Sequence, residues 1–144
     1  MVRKAVISDA AAITALSVKL WPNNDYMEMV QEFDAYLHDC ECALFLAFAG
    51  EIPIGFAQCQ LRHDYVEGTD SSPVGYLEGI YVAESHRSQG FARQLLHACE
   101  DWARDMGCTE FASDCELTNT QSLAFHLNTG FSEANRIICF TKKL

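Results

Sequence analysis

The stretch His86-Arg87-Ser88-Gln89-Gly90-Phe91-Ala92-Arg93 joins a strand-like run, Val74–Val82, to a segment in which Phe91, Leu95, Cys99, Trp102 and Met106 recur at helical spacing. Gly107 supplies the helix stop, and Cys108–Asp114 is short and strand-like. A strand, a helix and a second strand in that order normally close as a right-handed parallel crossover, so this stretch predicts an α/β layer on a mixed sheet. The junction also has chemical content. Backbone N–H groups at a helix start, unshielded by side chains at Gly90 and Ala92, offer a pyrophosphate site to which Arg87 and Arg93 add charge. A glycine-containing helix start without a ligand is the plainer alternative, and neither GxxxxGK[ST] nor GxGxxG occurs elsewhere.

Upstream, Ser8-Asp9 precede Ile13, Leu16 and Leu20, which predicts a capped helix ending before Trp21-Pro22. A second helix follows, with Asn24 or Asp25 as its cap and Met27, Val30, Phe33 and Leu37 as its apolar stripe. Cys42–Ala49, Gly50-Glu51 and Ile52–Leu61 read as a β-hairpin, and Arg62–Pro73 as a polar loop. Downstream, Asn119–Asn128 is a helix closed by Gly130, and Phe131–Phe140 is expected to be a final strand.

The 144 residues suit one domain, 1–144, and 49% hydrophobic composition with 3 Pro and 8 Gly excludes a disordered chain. Net charge −10 disfavours nucleic acid, whose phosphates would be repelled at long range. No apolar run is long enough for a membrane span, and no signal-peptide core follows Met1-Val2-Arg3-Lys4, so a cytoplasmic protein is expected. Seven cysteines without a CxxC pair argue against a disulfide framework. His38-x-Cys40-x-Cys42 has ligand-like spacing but no fourth ligand, and no metal is expected. The segments from Lys19 to Arg62 and from Asp105 to Asn135 hold no Lys or Arg between their ends. Folded together they would make a negative basin for a polycation; apart, they would merely aid solubility.

Arg87-Ser88-Gln89-Gly90-Phe91-Ala92 resembles the [QR]xxGx[GA] acetyl-CoA loop of the GNAT N-acetyltransferases. Asn119 through Phe131 is similar to their NxxAxxxYxxxGF segment, whose Asn contacts the pantetheine arm. The segments Tyr65–Thr69, Ser72–Val82 and Thr109–Asp114, together with Leu20-Trp21 and Phe140–Lys143, look like the aminoglycoside 6'-N-acetyltransferases, the small antibiotic-resistance branch of that family. The resemblance implies the GNAT acyltransferase fold: a mixed, mostly antiparallel central sheet with a splayed parallel pair, flanked by helices. It also implies acetyl-CoA as co-substrate, a cationic aminoglycoside or other small polyamine as partner, and a homodimer in which Ile137-Ile138-Cys139-Phe140 could pair across the interface.

Acetyl transfer from a thioester to an amine needs a proton acceptor for the amine, donors for the oxyanion and a proton for the thiolate. Glu78 is the candidate acceptor, or else a carboxylate that only binds ammonium. The resemblance implies that Ile80, Tyr81 and Val82 pair with the pantetheine and that a backbone N–H near Val82 is the oxyanion donor, while Arg87, Ser88, Gln89, Gly90, Phe91, Ala92, Arg93 and Asn119 complete the cofactor set. Asp114 is expected at a strand end where ligands are met. His126 stands where the family has a Tyr that protonates the thiolate; imidazole can donate as well, or His126 can simply pack. Trp21, Asp25 and Tyr65 are candidate substrate contacts or ordinary packing and surface residues. The implied activity is direct transfer to the aminoglycoside 6'-amine in a ternary complex. Its rivals are acetylation of another small amine, such as a polyamine or a peptide amine, and a silent acyl-CoA-binding module.

Overall fold

The computed structural model of the chain describes residues Met1–Leu144. Its strands are β1 (Val2–Lys4), β2 (Cys42–Ala49), β3 (Ile52–Arg62), β4 (Val74–Val82) and β5 (Phe111–Ser113). Its helices are α1 (Ala10–Leu20), α2 (Tyr26–His38), α3 (Phe91–Asp105) and α4 (Thr120–Asn128). The strands form one sheet in sequence order, antiparallel from β1 to β4 and parallel between β4 and β5. The parallel pair is joined through α3, as the strand–helix–strand order predicts.

Alternation along β2 and β3 sends apolar side chains to both faces. Ala43, Phe45, Ala57, Cys59 and Leu77 meet Leu95, Leu96 and Cys99 of α3 on one face. Each of these two fully buried leucines contributes about 1.5–3 kcal/mol. On the other face Leu44, Leu46 and Phe56 meet Ile13 of α1 and Met29 and Phe33 of α2. That face stays apolar only part of the way along β3. Beyond Phe56 its side chains are Gln58, Gln60 and Arg62, and the site lies there.

Asp25, not Asn24, caps α2, accepting from the Glu28 N–H at 3.0 Å. Phe33 and Leu37 face the core as expected, but Met29 rather than Met27 leads the stripe, and Met27 is 63% exposed. Arg62 is the last residue of β3 and not part of the following loop. The strand expected over Cys108–Asp114 contracts to Phe111–Ser113, because the Cys108 N–H closes the end of α3 on the Ala103 carbonyl. The final strand over Phe131–Phe140 is absent. These residues run without strand pairing, and Ile137, Ile138 and Phe140 are 72%, 80% and 87% exposed.

Candidate active site

β3 and β4 fall out of register at one point: Gln58 faces Gly79 and Cys59 faces Leu77, leaving Glu78 without a partner. Such a bulge kinks the strand and re-aims the side chain of the extra residue. The pairing of β4 with β5 stops at Leu77, so from Glu78 onward the outer edge of β4 is open. The Ala83 N–H donates to Ile54 across β3, and antiparallel alternation therefore turns the backbone groups of Ile80 and Val82 to the open edge. Those of Tyr81 turn toward Phe56. Of the three residues expected to pair with a pantetheine, Ile80 and Val82 thus present their main chain to that edge, and Tyr81 packs inward on the α1/α2 side.

The open edge leads into the loop before α3. Ser88 and Gly90 both hold left-handed backbone, with φ 61° and 86°. A non-glycine residue in that region is uncommon and costs roughly 1–2 kcal/mol. Phe91, Ala92 and Arg93 occupy the first turn of α3, where N–H groups have no intrahelical acceptor. A side chain added at Gly90 would meet only Gln94 Nε2, at 3.9 Å, so the approach to these donors is open. Arg87 is tied to the strand end, its Nε donating to the Val82 carbonyl at 3.0 Å. Arg93 donates from Nη2 to the Asn128 carbonyl at 3.2 Å and so joins α3 to α4. Free donors, a helix N-terminus and a nearby guanidinium fit a pyrophosphate, and the unpaired β4 edge fits an amide-bearing arm. The Asn119 side-chain oxygen caps α4 by accepting from the Ser122 N–H at 3.0 Å, which leaves its NH₂ group to donate.

Glu78 is gripped by neighbours on β3. Its Oε1 accepts from Gln60 Nε2 at 2.7 Å and from Arg62 Nε and Nη2 at 3.0 and 2.8 Å; its Oε2 accepts only from Arg62 Nη2, at 3.0 Å. The guanidinium lies over the Tyr76 ring, 3.4 Å from its centroid, and the Tyr76 hydroxyl donates to Asp114. Burial and this bond to Asp114 push the Tyr76 phenol well above its usual range, so it is a donor at any working pH. Arg62 and Tyr76 thereby bring Glu78 and Asp114 into one network.

A cleft of about 210 Å³ opens on Glu78, walled by Trp21, Asn24, Met29, Glu32, Phe33, Tyr36 and Gln58. Trp21 lies edge-on to Phe56 at 6.0 Å and packs on Gly79. Asp25 is occupied with capping α2 and does not line this cleft. Tyr65 is 77% exposed and lines a second open cleft of about 430 Å³ with Leu61, Arg62, His63 and Asp64. Both ring nitrogens of His126 are engaged: Nδ1 lies 2.7 Å from the Ser122 carbonyl and Nε2 lies 2.8 Å from Ser113 Oγ. The first contact requires Nδ1 to carry a proton. His38 Nδ1 is bonded to the Asp34 carbonyl at 2.8 Å, and no group of metal-ligating side chains comes together.

The sequence does not single out Gln60, Arg62 or Tyr76, and it offers Glu32 only as one acidic residue among those between Lys19 and Arg62. Two signals for them were present: a polar run on alternate residues of an otherwise apolar strand, and Arg62 as the sole Lys or Arg between Lys19 and Arg87.

The model of the acetyltransferase (GNAT) family matches residues 10–131. The chain belongs to the GNAT family. Among its relatives, an aminoglycoside N(6')-acetyltransferase type 1 of Stenotrophomonas maltophilia is 44% identical over 144 residues, 99% of this chain and 93% of that protein. A solved structure of AAC(6')-Iy in complex with the bisubstrate analogue CoA-S-monomethyl-acetylneamine superposes with a TM-score of 0.96 at 38% identity, covering 100% of this chain and 98% of the other. AAC(6')-IG from Acinetobacter haemolyticus gives 0.94 at 36% identity, with coverage of 100% and 99%.

Proposed function

We propose that this GNAT enzyme transfers the acetyl group of acetyl-CoA to the 6'-amine of aminoglycosides, by direct attack with both substrates bound. The observation that carries this reading is the position of Glu78, bulged out of β4 where the cofactor edge begins and facing a cleft of carboxylates and aromatic rings. Relatives named for this activity support it. Acetyl-CoA, when bound, supplies an activated thioester carbonyl. Phe91, Ala92, Arg93 and Arg87 would hold its pyrophosphate, with Ser88, Gln89 and Gly90 shaping the loop, while Ile80 would offer its main chain, Val82 its N–H and Asn119 its amide to the pantetheine.

Glu78 Oε2, which has a lone pair free, accepts the proton of the attacking amine directly or through a water. Asp114 and Glu32 hold the remaining ammonium groups, and Trp21 and Tyr65 supply aromatic faces. His126 would donate toward the departing thiolate through Ser113 Oγ in the form that carries a proton on Nε2 as well as on Nδ1. Glu78→Gln should lower kcat at least ~100-fold with coenzyme A affinity unchanged. A rise in KM alone would mean that Glu78 only binds cation. Thiol release with aminoglycosides carrying a 6'-amine, and none with 6'-hydroxyl analogues, tests the regiochemistry; preferential turnover of linear polyamines or peptides would replace the substrate.

We also take residues 1–144 as one catalytic domain that works as a homodimer. Ile137, Ile138 and Phe140 are exposed on an unpaired tail, and β5 has no neighbour on its outer side, so a second copy's tail has both an apolar face and a sheet edge to meet. Ile138→Asp with Phe140→Asp should yield a monomer in sedimentation if this is right. No helix is long and apolar enough to cross a membrane. The seven free cysteines suit the reducing cytoplasm, where we place the reaction.

A further inference from the structure

We propose that Arg62 selects the reacting amine: lodged on Glu78, it cancels that carboxylate's charge, so that the amine arriving there is held as the free base while the substrate's other amines stay ammonium. The inference rests on the reading of Glu78 as the group that faces the acceptor amine.

Arg62 is the sole Lys or Arg between Lys19 and Arg87, and it is spent on one carboxylate. Its fork takes both Glu78 oxygens, and its flat face is fixed on the Tyr76 ring, so its position is set from two sides. The charged and titratable groups facing Glu78 from every packed element are few. They are Glu32 and Tyr36 on α2, Cys42 on β2, Arg62 on β3 and Tyr76 on β4, with Asp114 beyond β5 linked to them through the Tyr76 hydroxyl. Burial raises Tyr36 and Tyr76, and pushes Cys42 up to about 12, so these three are neutral at working pH. The charges left are Glu78 and Arg62, which offset each other, and Glu32 and Asp114 at the sides.

An uncancelled carboxylate would bind an ammonium tightly and oppose loss of its proton. A guanidinium within a few ångströms does the reverse. At Glu78 the N–H bond of the ammonium breaks, its electron pair stays on nitrogen as the nucleophile, and the proton leaves over Oε2 to water in the cleft. Amines beside Asp114 or Glu32 keep their protons and anchor the molecule. Arg62 is therefore a positioning residue whose charge decides which amine can attack.

The test compares the native chain with Arg62→Gln and Arg62→Lys, using acetyl-CoA and neamine. Arg62→Gln should move the rising limb of kcat against pH upward by about one unit, a tenfold loss at neutral pH that recovers at high pH, and should lower the neamine KM. Arg62→Lys should restore most of the native profile. Calorimetry of neamine binding to the coenzyme A complex, in buffers of differing ionisation enthalpy, should show the native chain releasing more protons than Arg62→Gln. An unmoved pH limb with equal proton release would overturn the proposal, as would a loss of kcat in Arg62→Gln that is the same at every pH. If Arg62→Gln melts early, proton release by Arg62→Lys, expected near native, decides. If Glu78→Gln leaves kcat intact, it is the Glu78 reading that fails; if Glu78→Gln is impaired and Arg62→Gln behaves like the native chain, only the role of Arg62 fails.

Discussion

The indole of Trp21 rests so closely on Gly79 that a Cβ there would fall 2.6 Å from its Cη2 atom. Gly79 follows the bulged Glu78, so the same local distortion aims the carboxylate and admits the ring that walls its cleft. Gly79→Ala must therefore push Trp21 outward, away from Phe56 as well. We expect a stability loss of about 1–3 kcal/mol from overpacking, with a several-fold rise in aminoglycoside KM. Coenzyme A affinity should hold, because the loop before α3 does not touch this contact. Thermal melting and calorimetry with each ligand check the three outcomes.

Gly90 makes a different demand. Space around it is open, but its φ of 86° lies where a β-branched side chain is strained. Gly90→Val should re-form this loop and move the free N–H groups of the first α3 turn, weakening coenzyme A at least ~10-fold for a cost of this order in backbone strain. Aminoglycoside binding in the absence of coenzyme A should change little. An unaltered coenzyme A affinity in a folded Gly90→Val variant would remove the loop from the cofactor site.

What could be read from the residues divides along physical lines. Helix α3 was legible because Phe91, Leu95, Cys99, Trp102 and Met106 repeat over four turns with a glycine at each end, a pattern that no strand produces. The β4 strand and the helix that follows fixed the parallel crossover for the same reason. Strand β1 was not legible, since three residues, Val2–Lys4, carry no period and exist as strand only through pairing with Leu46 and its neighbours. The Phe131–Phe140 segment has strand composition, but composition does not supply a partner, and within one chain it finds none. In the site, Glu78 could be read as a carboxylate on the strand that leads into the loop before α3, and Asp114 as one at a strand end. Their linkage was not, because it runs through Arg62 and Tyr76 across two strands, and only the register and the bulge bring those side chains together.

Asp9 provides a stability handle far from the catalytic residues. The Arg3 guanidinium donates to both its oxygens at 2.7 and 2.9 Å, the Val6 N–H adds a bond at 2.8 Å, and together these hold its carboxyl below the usual range. A carboxyl that is harder to protonate when folded adds stability that is fully present above its unfolded value of about 4 and is lost as pH falls through the lower folded value. Asp9→Asn should thus cost up to about 1 kcal/mol near pH 7, a few degrees in Tm, and the two melting curves should converge as pH falls through the lowered folded value. A gap that persists at low pH would assign the effect to packing rather than to charge.

The acidic stretches make the last prediction. The base-free segment after Lys19 delivers Glu32 to the cleft, and the one after Arg104 delivers Asp114 to the Tyr76 hydroxyl, so one carboxylate walls the cleft that opens on Glu78 and the other ends the network that holds it. The rest of their charge faces solvent, where Glu110, for example, is satisfied by Ser71 and Asp70 of the loop before β4. A polycation held by Glu32 and Asp114 is attracted through water and is screened over about 8–10 Å at moderate ionic strength, so its KM must rise several-fold from low to moderate salt. Coenzyme A binding should weaken with salt as well, through Arg87 and the first turn of α3, which carry the opposite sign. The two dependences therefore separate by mutation: Asp114→Asn should flatten the salt slope of the aminoglycoside and leave that of coenzyme A unchanged. Because the Tyr76 hydroxyl can still donate to the asparagine oxygen, the variant removes charge with little loss of hydrogen bonding, and a lower slope reports electrostatics rather than a collapsed site. An aminoglycoside KM that does not move with salt would leave the acidic segments as a solvation feature and return recognition to the aromatic walls of the cleft, Trp21 and Tyr36.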